Sequence, residues 1–190
     1  MSLKILAGQM RGRTLKTLPQ EDLTIRPMLG RMKKSVFDIL KPIIEDSCFL
    51  DLFAGVGSVG IEALSRGAKK CVFAEIAVGS LKLIKQNIDM LKYNDRATII
   101  HCDIIKNFRI LQDKYDIVFL GPPYKDSNKK PLSLTYPTLC NIVRFDILKE
   151  NSIVISQRHF TEKIGETPVL QEIRTQKYGD TLISFYKRKI

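Results

Sequence analysis

Short apolar runs and amphipathic stretches alternate along most of this chain, regularly so from residue 48 onwards. Residues 48–53 (CFLDLF) are almost wholly apolar and predict a buried strand, and residues 58–66 predict a helix closed by Gly67. Residues 71–75 (CVFAE) predict a second strand. Residues 78–93 place Leu81, Ile84, Ile88 and Leu91 three and four apart, the spacing of one helical face. A strand over 97–103, a helix over 104–112, a strand over 115–121, a helix over 134–148 interrupted near Pro137, and a strand over 152–157 follow. The chain closes with strand patterns over 168–178 and 181–189. Ahead of residue 48, residues 3–18 read as a short hairpin, and 31–43 as a helix stopping near Pro42.

Continuous apolar strands separated by helices predict a parallel sheet covered on both faces, an α/β class of Rossmann-like type. The last two strand patterns have no helix between them, which predicts an antiparallel pair at the end of the chain. Residues 1–45 read as a basic extension built of hairpin and helix, and residues 46–190 as the ligand-binding domain.

Composition narrows the function. The 190 residues carry a net charge of +11, from 31 basic and 20 acidic side chains. Residues 1–34 alone hold Lys4, Arg11, Arg13, Lys16, Arg26, Arg31, Lys33 and Lys34 against Glu21 and Asp22. Such clustering points to a polyanionic partner and makes Arg11, Arg13, Arg26 and Arg31 candidate nucleic-acid contacts. No apolar run nears the ~20 residues that span a bilayer, and residues 1–13 lack a signal-peptide pattern. A cytoplasmic monomer without membrane attachment is expected. Cys48, Cys71, Cys102 and Cys140 show no metal-ligand spacing and read as reduced, mostly buried side chains. His101 and His159 are isolated, so no metal site is expected.

The candidate chemistry gathers where strands end. Gly55, Gly57 and Gly60 form G-x-G-x-x-G between a strand and a helix, a turn that brings backbone N–H groups close to a ligand. The motif alone admits NAD, FAD or S-adenosylmethionine. Glu75 ends the next strand, where an acid accepts from ribose hydroxyls in either cofactor class. Asp51, just before the loop, would repel a pyrophosphate but attract the ammonium and sulfonium of S-adenosylmethionine. Asp103 ends the third strand, placed to accept an adenine amino group. The expected cofactor shell is therefore Asp51, Phe53, Ala54 and the three glycines, together with Glu75, Ile76, Asp103 and Ile104. The fourth strand delivers Gly121-Pro122-Pro123-Tyr124 to the same crevice. Prolines hold their neighbouring carbonyls still and free to accept, and the tyrosine face can stack on an unstacked base.

With these stretches in view, the chain resembles the RsmD-type 16S ribosomal RNA guanine-N2 methyltransferases, of the class I S-adenosylmethionine fold. The likeness runs through residues 7–15, 25–40, 50–68, Glu75, 121–124 and 177–186. It implies a seven-stranded sheet, S-adenosylmethionine as cofactor in residues 46–190, and a guanine of 16S ribosomal RNA as substrate, within a small ribosomal subunit or an assembly intermediate. The chain departs from the family at Gly121, where the family writes an aspartate that accepts a second hydrogen bond from the target amine. Two alternatives stand beside this: a catalytically impaired relative that still binds RNA and S-adenosylmethionine, from Gly121, or an adenine-N6 methyltransferase of DNA or RNA, since amine clamps look alike. A dinucleotide-dependent oxidoreductase is disfavoured by Asp51 and leaves Pro-Pro-Tyr unexplained.

Overall fold

The computed structural model describes residues 3–17 and 28–189. Two short strands, β1 (Leu3–Lys4) and β2 (Thr14–Leu15), pair antiparallel, and helix α1 spans Gly30–Leu40. The main sheet begins with β3 (Cys48–Leu52), followed by α2 (Ser58–Ser65), β4 (Lys70–Glu75), α3 (Val78–Leu91) and β5 (Ala97–His101). It continues through β6 (Tyr115–Leu120), α4 (Thr135–Arg144), β7 (Leu148–His159), β8 (Leu170–Tyr178) and β9 (Thr181–Arg188). The seven strands lie in the order β5-β4-β3-β6-β7-β9-β8; the first five are parallel, and β9 and β8 complete the sheet antiparallel. The expected sheet, its covering helices and its terminal strand pair are all present.

Alternation along each central strand builds two cores. In β3, Phe49 faces one side with α1, α2 and α3, while Leu50 and Leu52 face the other with Leu139 and Ile142 of α4. Asp51 shares the parity of Phe49 and so points at α2, which decides its role. Ile5, Leu15, Met32, Phe37 and Leu40 from the N-terminal segment belong to the same cluster as Phe49 and Phe73. Burial of this kind stabilises by roughly 25 cal/mol per Å² of apolar surface, so the segment is held by the sheet's own core.

Two buried polar side chains fasten that segment. Glu62 in α2 accepts from the backbone N–H groups of Leu6 (2.8 Å) and Ala7 (3.0 Å). Asn87 in α3, fully buried, accepts from Lys16 N and donates to the carbonyls of Lys16 and Val56. Asn87 and Ser80 occupy buried positions of α3, while Leu81 is only half-buried, because this helix face meets backbone as well as the sheet.

Three local expectations are corrected. The stretch 104–112 is no α-helix: it turns back at once and makes only a 3₁₀ turn at Phe108–Ile110. The Asp103 carboxylate accepts from Ile105 N and its carbonyl from Asn107 N, closing a turn, and the 3₁₀ spacing then buries Phe108 and Leu111 three residues apart. Pro137 does not interrupt α4. It lies in the first turn, where a missing N–H costs nothing. α4 also ends at Arg144, and Leu148 opens a β7 of 12 residues, longer than the apolar run 152–157.

Candidate active site

The chain order of the sheet reverses at β3, whose neighbours are β4 on one side and β6 on the other. Ligands of open α/β sheets bind beyond the carboxyl ends of the strands at such a switch point. The register pairs Asp51 with Phe119 and Leu52 with Leu120, so the loops leaving β3 and β6 start side by side. Gly121 N donates to Leu52 O at 3.3 Å and joins them.

The loop after β3 is shaped by its glycines. Gly57 caps α2 at φ 80°, a left-handed conformation that side-chain-bearing residues adopt with strain. At Gly60 a Cβ would stand 2.4 Å from the Phe73 ring and 2.6 Å from Cys71 Sγ, so only glycine lets α2 lie this close to β4. Ala54 N donates to Ala74 O at 3.1 Å, drawing the loop onto the same strand. The result aims the N-terminal N–H groups of α2 at the crevice.

Asp51 lies beneath this loop, 1% exposed, and accepts from Gly60 N at 2.8 Å. Burial pushes its carboxyl pKa up to about 8; the Gly60 N–H opposes that rise and the nearby Glu75 charge adds to it. The sequence assigned Asp51 a cofactor-facing charge. In the fold it fastens the loop from below.

Glu75 ends β4, 8% exposed, and holds three backbone N–H groups. Its Oε2 accepts from Gly55 N at 2.7 Å, and its Oε1 from Ile76 N and Ala77 N at 2.8 Å each. Each carboxylate oxygen has two lone pairs. Oε1 is therefore full, and Oε2 keeps one acceptor position. Asp103, 30% exposed, takes Ile105 N on Oδ1, and Oδ2 lies 3.4 Å from Lys106 Nζ.

Glu75 and Asp103 line one small cleft together with Phe53, Ile76 and Ile104, so five residues of the expected shell meet there. Ala74 and Cys102 complete it, and sequence reasoning missed both. Their only signal was adjacency to the two acids at the strand ends. The cleft offers apolar walls for a planar base and carboxylate acceptors for hydroxyl or amino groups, a donor set that suits an adenosine. Those residues fit S-adenosylmethionine.

Beyond β6, Pro122 is buried, Pro123 exposed and Tyr124 half-buried. The Tyr124 hydroxyl lies 3.1 Å from Thr181 Oγ1 and accepts from Gln157 Nε2 at 3.3 Å, and its ring meets His159 edge-on at 5.7 Å. Gln157, His159 and Thr181 were not legible as site residues, because the register of β7 and β9 brings them here. The polar stretch 125–131 closes on itself: Lys125 bridges Pro131, and Asp126 Oδ1 accepts from Asn128 N and Lys130 N.

The basic candidates do not enter the crevice. Arg11 and Arg13 are exposed at the hairpin, whose turn docks on the far end of α2 through Gln9 N to Ser65 O at 2.8 Å. That is about 12 Å along the helix from the glycine loop, at 1.5 Å per residue. Arg31 is exposed at the start of α1, and Arg26 lies outside the described residues. Lys33, counted with the basic cluster, is 1% exposed and offers no surface charge.

Comparison with known proteins places this geometry. A family model described as "Conserved hypothetical protein 95" matches residues 3–187. YlbH of Bacillus subtilis, whose name proposes an rRNA methyltransferase, is 28% identical over 191 residues, covering 98% of this chain and 100% of its own. Ribosomal RNA small subunit methyltransferase D of Haemophilus influenzae is 40% identical over 125 residues, 64% of each chain. A solved Haemophilus influenzae structure, described as a candidate methylase, matches with a TM-score of 0.79 at 27% identity, over 99% of both chains.

Proposed function

The chain belongs to the conserved hypothetical protein 95 family, the RsmD-type S-adenosylmethionine methyltransferases, and from that membership we propose that it methylates the exocyclic N2 amine of a guanine in small-subunit ribosomal RNA. One observation carries the reading: the glycine loop and the Pro-Pro-Tyr leave adjacent strands, joined by Gly121 N to Leu52 O. A methyl donor in the cleft of Glu75 and Asp103 and a base held at Tyr124 would then share one crevice.

S-adenosylmethionine supplies a methyl group on a positively charged sulfur. The remaining work falls to the chain. Glu75 Oε2 has one acceptor position for a ribose hydroxyl, and Asp103 faces the cleft as an acceptor for an adenine amine. Pro122 presents a carbonyl in a rigid turn to one N–H of the target amine. Tyr124, braced by Gln157 and Thr181, offers a ring to a base turned out of its helix. Methyl transfer of this kind is accelerated mainly by positioning. The arginines of the hairpin and of α1 hold the RNA backbone at a distance from the chemistry.

The test is methyl transfer from tritiated S-adenosylmethionine to small ribosomal subunits from a strain lacking the gene, followed by nucleoside analysis. N2-methylguanosine is the expected product. N6-methyladenosine would move the target to adenine, and absence of transfer despite cofactor binding would overturn the activity.

A further inference from the structure

We propose that Gln157 supplies the hydrogen-bond acceptor for the target amine that Gly121 lacks. This rests on reading Pro-Pro-Tyr as the amine site. The pairing of β6 with β7 sets Phe119 beside Ile155 and Leu120 beside Ser156. One step further along both strands sets Gly121 beside Gln157. Parity puts both on the face of Phe119 and Ile155, the face that carries Asp51 and α2. The distance agrees: a Cβ at position 121 would stand 4.0 Å from the Gln157 Cβ.

The Gln157 side chain is 6% exposed and held at one end. Its Nε2 donates to the Tyr124 hydroxyl at 3.3 Å, and that hydroxyl is in turn 3.1 Å from Thr181 Oγ1. With Nε2 so engaged, Oε1 has no partner among the described residues. An amide oxygen carries two lone pairs and no proton, so it can only accept. Held against the tyrosine of the Pro-Pro-Tyr, it can take one N–H of an exocyclic amine while the Pro122 carbonyl takes the other. The carboxylate of Asp126 is tied into its own loop, its Oδ1 accepting from Asn128 N and Lys130 N.

The chemistry balances without a protein base. The N–C bond forms as the S–C bond breaks, the sulfonium leaves as a neutral thioether, and the extra proton on nitrogen passes to water. An amide oxygen is too weakly basic to keep it. Gln157 thus orients the amine and does not titrate, whereas a carboxylate at position 121 would.

The experiment is single-turnover methyl transfer to the small subunits described above, across pH 5–9, with S-adenosylmethionine affinity by calorimetry as the check on folding. Gln157→Leu should slow transfer ~10-fold or more, the usual worth of a lost hydrogen bond to a reacting group, with cofactor affinity unchanged. Adding Gly121→Asp to Gln157→Leu should restore the rate and introduce a fall at acid pH that wild type lacks. Transfer by Gln157→Leu at the wild-type rate overturns the proposal. So does a slow Gln157→Leu that Gly121→Asp fails to restore, which would assign Gln157 to bracing Tyr124. If Gln157→Leu does not bind cofactor, Gln157→Glu takes its place: it should match or exceed wild type above pH 7 and gain the acid limb, and slow transfer at every pH overturns the proposal. Wild type that binds cofactor and transfers nothing overturns the methyltransferase reading itself, and Gln157's role falls with it.

Discussion

Lys33 Nζ and the Glu62 carboxylate meet at 3.2 Å with side chains 1% and 0% exposed, an ion pair sealed between α1 and α2. The ammonium also donates to Lys4 O at 3.1 Å, and burial pulls the Lys33 pKa below its ordinary value against the opposing pull of Glu62. Glu62 further takes Arg66 Nε at 2.8 Å. One carboxylate thus holds α1, the segment after β1, and its own helix.

Removing one partner of such a pair strands a buried charge, at a cost of about 3–5 kcal/mol. Glu62→Ala should destabilise by that order, since it also leaves Leu6 N and Ala7 N without their acceptor. Lys33→Met should cost less, because Glu62 keeps Arg66 and both backbone donors. Urea unfolding of the two variants measures the order, and equal or reversed losses would show that the pair does not anchor the segment.

Much of the fold was legible because β3, β4 and β6 are apolar on both faces and the intervening helices keep one face. The glycine loop was legible from its position between strand and helix. Lys33 was misread because nothing local marks a lysine in KK as buried; only packing against Glu62, 29 residues on, shows it. Asp51 was legible as a strand-end acid, but its bond to Gly60 N was not, since strand parity relative to α2 is a tertiary fact. Gln157 and Thr181 were invisible because the sheet order β6-β7-β9 is what carries them to Tyr124.

Asp51 makes stability depend on pH in a defined direction. Its folded pKa, about 8, lies above the ordinary aspartate value of 3.8, so between those pH values the folded state keeps a proton that the unfolded chain has released. The stabilisation is full below the unfolded pKa and is lost as pH rises through about 8. Asp51→Asn keeps an oxygen for Gly60 N–H and cannot ionise. Its melting temperature should change less between pH 5 and 9 than that of wild type. Parallel pH profiles of the two proteins would refute the assignment.

Glu75 joins the loop to the cofactor cleft. Glu75→Ala removes the acceptor for Gly55 N and the single open position on Oε2, and should weaken S-adenosylmethionine binding by roughly 1–3 kcal/mol. Calorimetry with the cofactor and with its demethylated product tests this, with NAD expected to be silent throughout. Unchanged affinity would mean that the ribose lies elsewhere.

Arg11 and Arg13 stand on the exposed turn, with no ion-pair partner among the described residues. Replacing both by alanine should weaken RNA binding and reduce the slope of log affinity against log salt by about one per lost phosphate contact. Cofactor affinity should not move. Equal RNA affinity at every salt concentration would make the hairpin purely structural.

Gly121 can be tested directly because its backbone is ordinary. Its φ lies outside the left-handed range, so an aspartate is not strained there. Space is tight but adjustable: a Cβ would stand 3.0 Å from Cε1 of Phe119, whose ring edge must give by a few tenths of an ångström. With Gln157 already accepting from the amine, a carboxylate at 121 adds charge and geometry to a working site. Gly121→Asp should then raise single-turnover methyl transfer by about tenfold, near the worth of one charge-assisted hydrogen bond. The gain should vanish at acid pH as the new carboxyl protonates, leaving the variant no faster than wild type. A general base or acceptor supplied where none exists is typically worth ~10²–10⁴-fold. A rise of that size would mean that wild type has no effective acceptor, and no rise at any pH would separate position 121 from the chemistry altogether.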